Sequence, residues 1–369
     1  MSDPRQSTDT QRAELAAAFG RDLDPLEEFQ ATFRQRDIDP FLLFEADVLE
    51  TKDLGRRTLD GYHSTFRDWR EFMDAQGRHP ACPNEEHVKA FARFEMDEKG
   101  NAASTVTNKF QRLNTAYKYW QDDPAFPHPQ DYNPFQLARS KLDLSDDGKK
   151  EPPRLPVEKL REVLSDVNHV RDRAVIACQL KLGLRATELC NIKLSEVTIE
   201  NAELNRHYPE MGTHSALEEI QNAVYIPHDR DGNKSQRPRL LPLDDEIRRV
   251  LLRYLLTRPD NGSEWLFLSH TTYAQMHRDY VADIWEEAFQ PEYDESENHA
   301  AVTSHFGRHR FTTYWRVERD LNRELIKYMR GDTAGAGNIQ ERGAIDEYIH
   351  TYYEDIEPTY RKNIYKLSV

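Results

Sequence analysis

Cysteine is scarce in this sequence: three in 369 residues, Cys82, Cys178 and Cys190. An odd number without metal-ligand spacing argues against a disulfide framework and fits a reducing cytoplasm. No apolar run approaches the length of a membrane span, and Met1 to Asp9 is polar with no apolar signal core. The expectation is a cytoplasmic protein with no membrane partner. Lysine is also rare, 15 against 35 arginines, while Asp and Glu number 65, so the formal net charge is −15. Alone, that balance argues against nucleic acid, because phosphate binding is driven by cations. Many acids, few lysines and abundant arginine nevertheless resemble the proteins of salt-in halophiles, and in molar salt the Debye length is about 3 Å. Repulsion between an acidic surface and DNA would then be nearly erased, leaving contact-range arginines to act. What is present is ample apolar material, 38% hydrophobic with 5 Trp, 17 Tyr and 16 Phe. That excludes a disordered chain, and the length suits two domains.

Residues 1–24 read as a polar tail, with helical character around Gln11 to Phe19. Residues 25–140 read as an all-helical domain. Leu59, Tyr62, Phe66, Trp69, Phe72 and Met73 follow a 3–4 spacing behind a Thr58 cap, and Val88, Phe91 and Phe94 follow an Asn84 cap. Val106, Phe110, Leu113, Tyr117 and Trp120 form a third stripe, after which Pro124, Pro127, Pro129 and Pro134 end the helical region. The exposed face is expected to carry Arg56, Arg57, Arg67, Arg70, Lys109, Arg112 and Lys118. Residues 141–154 have two prolines and no apolar periodicity, the pattern of a linker. Residues 155–369 mix elements: helices at 157–167, 171–182, 247–256 and 273–289, and short strands at 196–199, 223–226 and 239–243. A polar turn with Gly232 and Asn233 makes the last two strands a hairpin. Residues 201–220 and 291–301 read as inserted loops. The predicted class is multi-domain and mainly α: a helical first domain followed by a mixed α+β domain with a small antiparallel sheet.

One stretch organises the second domain. In Thr303-Ser-His-Phe-Gly-Arg-His-Arg-Phe311, His305 and Arg308 stand three apart and share a helix face. Arg is a permanent bidentate cation suited to phosphate, and His moves protons near neutrality. Arg185 follows a helix break at Gly183, Lys234 sits on the hairpin, and Tyr348 lies near the C-terminal end. Such a set suits phosphodiester chemistry. Two guanidiniums can clamp the non-bridging oxygens and stabilise a pentacovalent transition state. A Tyr hydroxyl can attack phosphorus. Lys can protonate the leaving sugar oxygen, and His can relay the nucleophile's proton. No metal and no cofactor is required. Each residue alone has a plainer reading: Gly-Leu-Arg as a helix C-cap, Lys234 as a solvated turn residue, the tyrosines as packing aromatics, Glu188 as a brace for Arg185.

Taken together and in order, these residues resemble the tyrosine recombinases, the integrase and Xer-like family of site-specific DNA recombinases. Gly183-Leu-Arg-Ala-Thr-Glu-Leu is similar to the family's first box, and His305-Phe-Gly-Arg-His309 to its His-x-x-Arg-His box. Lys234 precedes Pro242 at the family's spacing, within the approach to Arg239-Leu-Leu-Pro-Leu243. Tyr348-Ile-His350 is similar to the Tyr-x-His around the nucleophile. Thr58 to Trp69 and Asn133-Pro-Phe are similar to the helical core-binding (SAM-like) domain. The resemblance thus covers nearly the whole chain from Pro25. It implies Arg185, Lys234, His305, Arg308 and Tyr348 as catalytic residues, with Glu188, His309, Arg330 and His350 in support. It implies cutting and rejoining of double-stranded DNA through a 3′-phosphotyrosyl intermediate, by a homo-tetramer on recombining sites.

The departures matter. Where the family has Gly-His, this chain has Gly331-Asp332, and an ionised Asp cannot donate to phosphate. That role is vacant, or moved to Arg330 or His350. The span from Asp332 to Tyr348 is longer than usual, which leaves Tyr352 as an alternative nucleophile and Tyr353 as a further competitor. Two other functions compete. One is a DNA-binding protein that keeps the recombinase fold with weak or lost activity, supported by Asp332. The other is a metal nuclease built on His305 and His309, which lacks a completing carboxylate.

Overall fold

The computed structural model describes residues 4–36, 38–52, 54–144, 150–332 and 345–369, and side chains from Thr10 onward except those of 345–351. The chain forms two compact units, Met1–Lys149 and Lys150–Val369. Among the described residues no helix is long and apolar enough to cross a membrane. Cys82, Cys178 and Cys190 are all buried and free.

The first unit contains helices α1 (Pro4–Ala18), α2 (Gln30–Arg36), α3 (Pro40–Phe44), α4 (Arg56–Ala75), α5 (Glu85–Arg93), α6 (Ala103–Asp122) and α7 (Pro134–Arg139). The aromatic stripes meet as expected. Phe66 and Trp69 of α4, Phe91 of α5, and Phe110 and Trp120 of α6 are buried in one cluster with Phe41 and Phe135. The two indoles do not leave a polar atom stranded: Trp69 donates to the Pro80 carbonyl at 2.9 Å and Trp120 to that of Pro40 at 3.1 Å. Asn84 caps α5 by accepting from the His87 amide at 3.0 Å. The expected tail is helical from Pro4, and Arg12 ties α1 to Glu85 at 3.1 Å. Asn133 opens α7 instead of closing the helical region, its side chain accepting from the Gln136 amide at 3.1 Å.

The expected basic face is smaller than the sequence suggests. Lys109 is buried, its Nζ 2.6 Å from Asp68 and 2.5 Å from Glu95. Arg112 lies flat on Gly61, where a Cβ would come within 2.6 Å of its guanidinium, and donates to Thr65 at 3.1 Å. Arg70 pairs with Asp39 at 2.7 Å.

The second unit is built around α9 (Val170–Leu182), in which every residue from Ala174 to Leu182 is buried. Preceding it is α8 (Val157–Asp166), and following it are α10 (Ala186–Cys190), β1 (Val197–Thr198) and α11 (Ala202–His207). Then come β2 (Ala223–Ile226), β3 (Arg239–Pro242), α12 (Asp245–Leu255), α13 (Arg278–Tyr293), α14 (Ser304–Thr313), α15 (Arg323–Arg330) and α16 (Ile345–Asn363). The sheet is antiparallel in the order β1-β2-β3, with Val224 opposite Leu241 and Ile226 opposite Arg239. α12 and α14 pack on α9, and α16 packs on β3. The stretch expected as a loop over 201–220 holds α11 and a 3₁₀ turn at Ser215–Leu217.

Beneath this core a buried ionic cluster joins α9 to α12. Lys181, with no exposed surface, lies 2.7 Å from Asp244 and 2.6 Å from Glu246, and Lys366 reaches Asp244 at 2.6 Å. Glu246 also accepts from the backbone amides of Leu367 and Val369, so the last residues are stitched to α12.

Candidate active site

Two glycines decide how the basic side chains converge. Gly183 ends α9 at φ +66°, a conformation that favours glycine, and a Cβ there would sit 2.6 Å from the Phe311 ring. The chain can therefore turn sharply and place Arg185 at the start of α10. Glu188, one turn on, folds back. Its two oxygens accept from the Arg185 amide and from Arg185 Nη1, each at 2.9 Å. Gly307 lets α14 approach α9 closely, because a Cβ there would meet Trp285 at 3.1 Å and Gln179 at 3.2 Å. That approach delivers Arg308, which is buried. It donates to the Gly183 carbonyl at 2.8 Å, the Arg330 carbonyl at 2.8 Å and Asp332 Oδ1 at 2.9 Å.

A third guanidinium lies behind these two. Arg239, the first residue of β3, is 0% exposed. It donates from Nη2 to Glu188 at 2.8 Å and from Nε to the Met329 carbonyl at 2.8 Å, while its Nη1 is buried without a hydrogen-bond partner. Burial alone would raise the pKa of Glu188. The positive charges of Arg239 and Arg308, then the amide and charge of Arg185, outweigh it and bring the carboxyl down to about 2. Glu188 is thus an anion hydrogen-bonded to two guanidiniums, those of Arg185 and Arg239. Burial pulls the Arg308 pKa down to about 9, partly countered by Glu188, which leaves it a cation at neutral pH.

Asp332 closes the group. α15 ends in a Schellman cap: Gly331, at φ +69°, donates to the Tyr328 carbonyl at 2.9 Å, and Asp332 donates to the Lys327 carbonyl at 2.9 Å. A Cβ at residue 331 would lie 2.5 Å from Arg239 Nη1, a second reason for glycine. The cap turns the Asp332 carboxylate onto three arginines. Oδ1 lies 2.9 Å from Arg308 and 3.3 Å from Arg185, and Oδ2 lies 2.8 Å from Arg330 Nε. The last contact is an ion pair by distance without hydrogen-bond alignment, since Arg330 Nε lacks a hydrogen-bond partner. Arg330 Nη1 instead donates to Thr312 at 3.0 Å.

The remaining sequence candidates are placed less centrally. His305 and His309 are exposed on α14, their rings 4.5 Å apart and edge to face. His305 keeps a solvent-facing ring, yet the ground beneath it is dry and cationic. Desolvation first, then His309, Arg308, Arg185 and Arg330, lower its pKa below the ordinary imidazole value. Lys234 is exposed on the hairpin and is not drawn into the arginine group. Tyr348 and His350 lie on α16, and their side chains are outside the described residues. Tyr352 stacks on Tyr328 at 4.9 Å, with the Arg237 guanidinium 5.6 Å from its ring, and Tyr353 is buried among Leu217, Ala223 and Leu240. The described residues hold no group of three or more His, Cys, Asp or Glu placed for a metal ion. Arg239 is the residue that sequence reading passed over. Nothing in the sequence marked it, because its burial at the head of β3, whose four residues are all buried, comes from the packing around the strand.

Residues 154–331 match the phage integrase family. The second unit therefore carries a phage integrase domain. The chain is 24% identical over 182 residues to the tyrosine recombinase XerA of Pyrococcus horikoshii, covering 49% of this chain and 53% of the relative. It thus spans about half the length of the relatives that it matches. Its fold is similar to that of the Tn1549 transposon integrase in complex with a circular intermediate DNA, with TM-score 0.61, 19% identity, and 86% and 95% of the two chains covered. It is also similar in fold to a lambda integrase tetramer bound to a Holliday junction, with TM-score 0.57, 13% identity, and 92% and 90% covered. The match to the phage integrase family closes at Gly331. Arg185, Glu188, Lys234, Arg239, His305, Arg308 and Arg330 fall inside it, and Asp332 and α16 fall beyond.

Proposed function

We propose that this chain is a site-specific DNA recombinase that cuts and rejoins strands through a covalent 3′-phosphotyrosyl intermediate, without metal or cofactor. The observation that carries the reading is the convergence of Arg185 and Arg308 on one anionic oxygen, at 3.3 and 2.9 Å. They come from elements far apart in sequence and are braced by a shared buried carboxylate. In the reaction the two guanidiniums hold the non-bridging oxygens of the scissile phosphate and stabilise the charge that builds up in the pentacovalent state. The Tyr348 hydroxyl attacks phosphorus. The P–O bond to the 5′ oxygen breaks, that oxygen takes a proton from Lys234, and His305 accepts the proton of the tyrosine. A depressed imidazole pKa supports this last role, because His305 is then neutral and able to accept at pH 7. Attack by a 5′-hydroxyl of another strand reverses the step and releases the tyrosine.

The packing of the competing tyrosines supports Tyr348 as the nucleophile. Tyr352 is engaged with Tyr328 and Arg237, and Tyr353 is buried against the sheet. Double-stranded DNA is the substrate. The unit spanning residues 25–140 serves as the core-binding domain and residues 155–369 as the catalytic domain, and the working form is a homo-tetramer in the cytoplasm. The test is incubation with supercoiled plasmid in EDTA, followed by denaturation and detection of protein bound covalently to DNA. Adducts from the wild type, lost in Tyr348→Phe and kept in Tyr352→Phe and Tyr353→Phe, are the expected result. Adducts mapped to Tyr352 would move the nucleophile by one turn. Absence of adducts at sites that the protein binds would favour the second reading, a DNA-binding protein with lost chemistry. The specific observation behind that second reading is Asp332, which fills the arginine seat.

A further inference from the structure

The arginine seat carries a charge imbalance that its own carboxylates do not cancel. Among the described residues, four guanidiniums, Arg185, Arg239, Arg308 and Arg330, face two carboxylates, Glu188 and Asp332. The two carboxylates differ in kind. Glu188 is fully buried and bonded on both oxygens by side chains and an amide, so it belongs to the framework. The Asp332 side chain keeps 31% of its surface in solvent, and it meets Arg185 and Arg308 from the open side.

We infer that Asp332 is a built-in occupant of the anion seat, a carboxylate that stands where a phosphate oxygen binds and must leave before phosphate can enter. The inference rests on reading the seat as the phosphate site. Three features support displacement over permanent bracing. The backbone of Asp332 is held by the Schellman cap and not by the carboxylate, so the side chain can swing about Cα–Cβ while α15 stays capped. Arg308 does not need Asp332 to stay placed, since the Gly183 and Arg330 carbonyls hold it at 2.8 Å each. Arg185 is likewise held at 2.9 Å by Glu188. Removing the carboxylate therefore leaves the two cations in position, a preformed site with fixed donors. A phosphate carries more charge and more acceptor oxygens than a carboxylate, so it competes on favourable terms once the seat is within its reach. The chain thereby keeps its arginines screened when no DNA is bound, and an anion must bring enough contact to displace the occupant.

The experiment uses the full chain and inorganic phosphate as the probe, read by the unfolding midpoint during phosphate titration at constant ionic strength. Asp332→Asn keeps the shape and removes the charge. Its apparent affinity for phosphate should be at least about tenfold tighter than that of the wild type, because the seat no longer has to be emptied. Asp332→Ser should move in the same direction, which guards against one variant failing to fold. Asp320→Asn, at a side chain 94% exposed, removes the same charge elsewhere and should show no gain. Adding Arg308→Lys to Asp332→Asn should erase the gain. The inference is overturned if the folded Asn and Ser variants bind phosphate no more tightly than the wild type, or if Asp320→Asn gains as much. The phosphate readout needs no catalysis. Adducts without a gain for Asp332→Asn would sink this inference and leave the recombinase reading standing; a gain without adducts would do the reverse.

Discussion

Two buried ionic clusters lie in the second unit, and they are built to different ends. Around Lys181 the account closes: Lys181 and Lys366 face Asp244 and Glu246, and the backbone amides of Leu367 and Val369 take up remaining acceptors. Around Glu188 it does not close. Among the described residues guanidiniums exceed carboxylates, Arg239 Nη1 is buried without a hydrogen-bond partner, and the Asp332 side chain is 31% exposed. A cluster whose task is to hold two helices and a terminal segment gains nothing from spare charge, which costs desolvation energy. A cluster that awaits a ligand must carry it. The difference teaches that unbalanced burial, more than burial itself, is what singles out the arginine cluster as the candidate site.

The contrast can be broken at several points. The largest expected effect is on the balanced cluster. Lys181→Met strands Asp244 and Glu246 and should cost about 4 kcal/mol of stability in urea unfolding, with phosphate affinity unchanged in the protein that remains folded. Next is Arg308→Lys, which removes the bidentate fork from the seat. Covalent adduct formation should fall about 10²–10³-fold, while duplex binding in a mobility-shift assay stays close to that of the wild type.

A smaller effect separates the clusters by pH. The folded pKa of Glu188, about 2, lies below its unfolded value. Its stabilisation is therefore full above about pH 4.5 and is lost as pH falls towards 2, about 3 kcal/mol in all. Asp244 and Glu246 are also lowered, so acid weakens both clusters. The difference between wild type and Glu188→Gln across that pH range isolates the Glu188 share. The smallest effect is on the exposed hairpin. Lys234→Ala should change stability by no more than about 0.5 kcal/mol while slowing strand cleavage, which a single-turnover adduct assay would read.

Much of this was legible in the chain itself. The aromatic stripes of α4, α5 and α6 gave the first unit, because a 3–4 spacing has one way to be buried. Arg185 could be picked out by the helix break at Gly183, Arg308 by its three-residue spacing from His305, and Glu188 as the acid three positions after Arg185, because local geometry is written locally. What could not be read depends on what lies across a gap in sequence. Lys109 looks like a surface base on α6 and is buried because Asp68 and Glu95 meet it from other elements. Arg239 looks like the polar head of a strand, and only the packing of α10 and α15 around it shows a buried hub. Asp332 could be recognised as a departure, but that it faces three arginines follows from a helix cap and from α14, 24 residues away from it at Arg308. Six-residue α11 is too short for periodicity to define.

Gly183 has a consequence for how this chain can change over generations. Its carbonyl receives Arg308, 125 residues distant, its backbone turn delivers Arg185, and its bare Cα makes room for Phe311. A side chain introduced there would misplace both arginines at once, and no single compensating change would restore them. Shrinking Phe311 would relieve the clash but not the left-handed backbone. Both arginines therefore depend on this one residue, and in a deep mutational scan position 183 should admit nothing but glycine, even in backgrounds where residue 311 is made small.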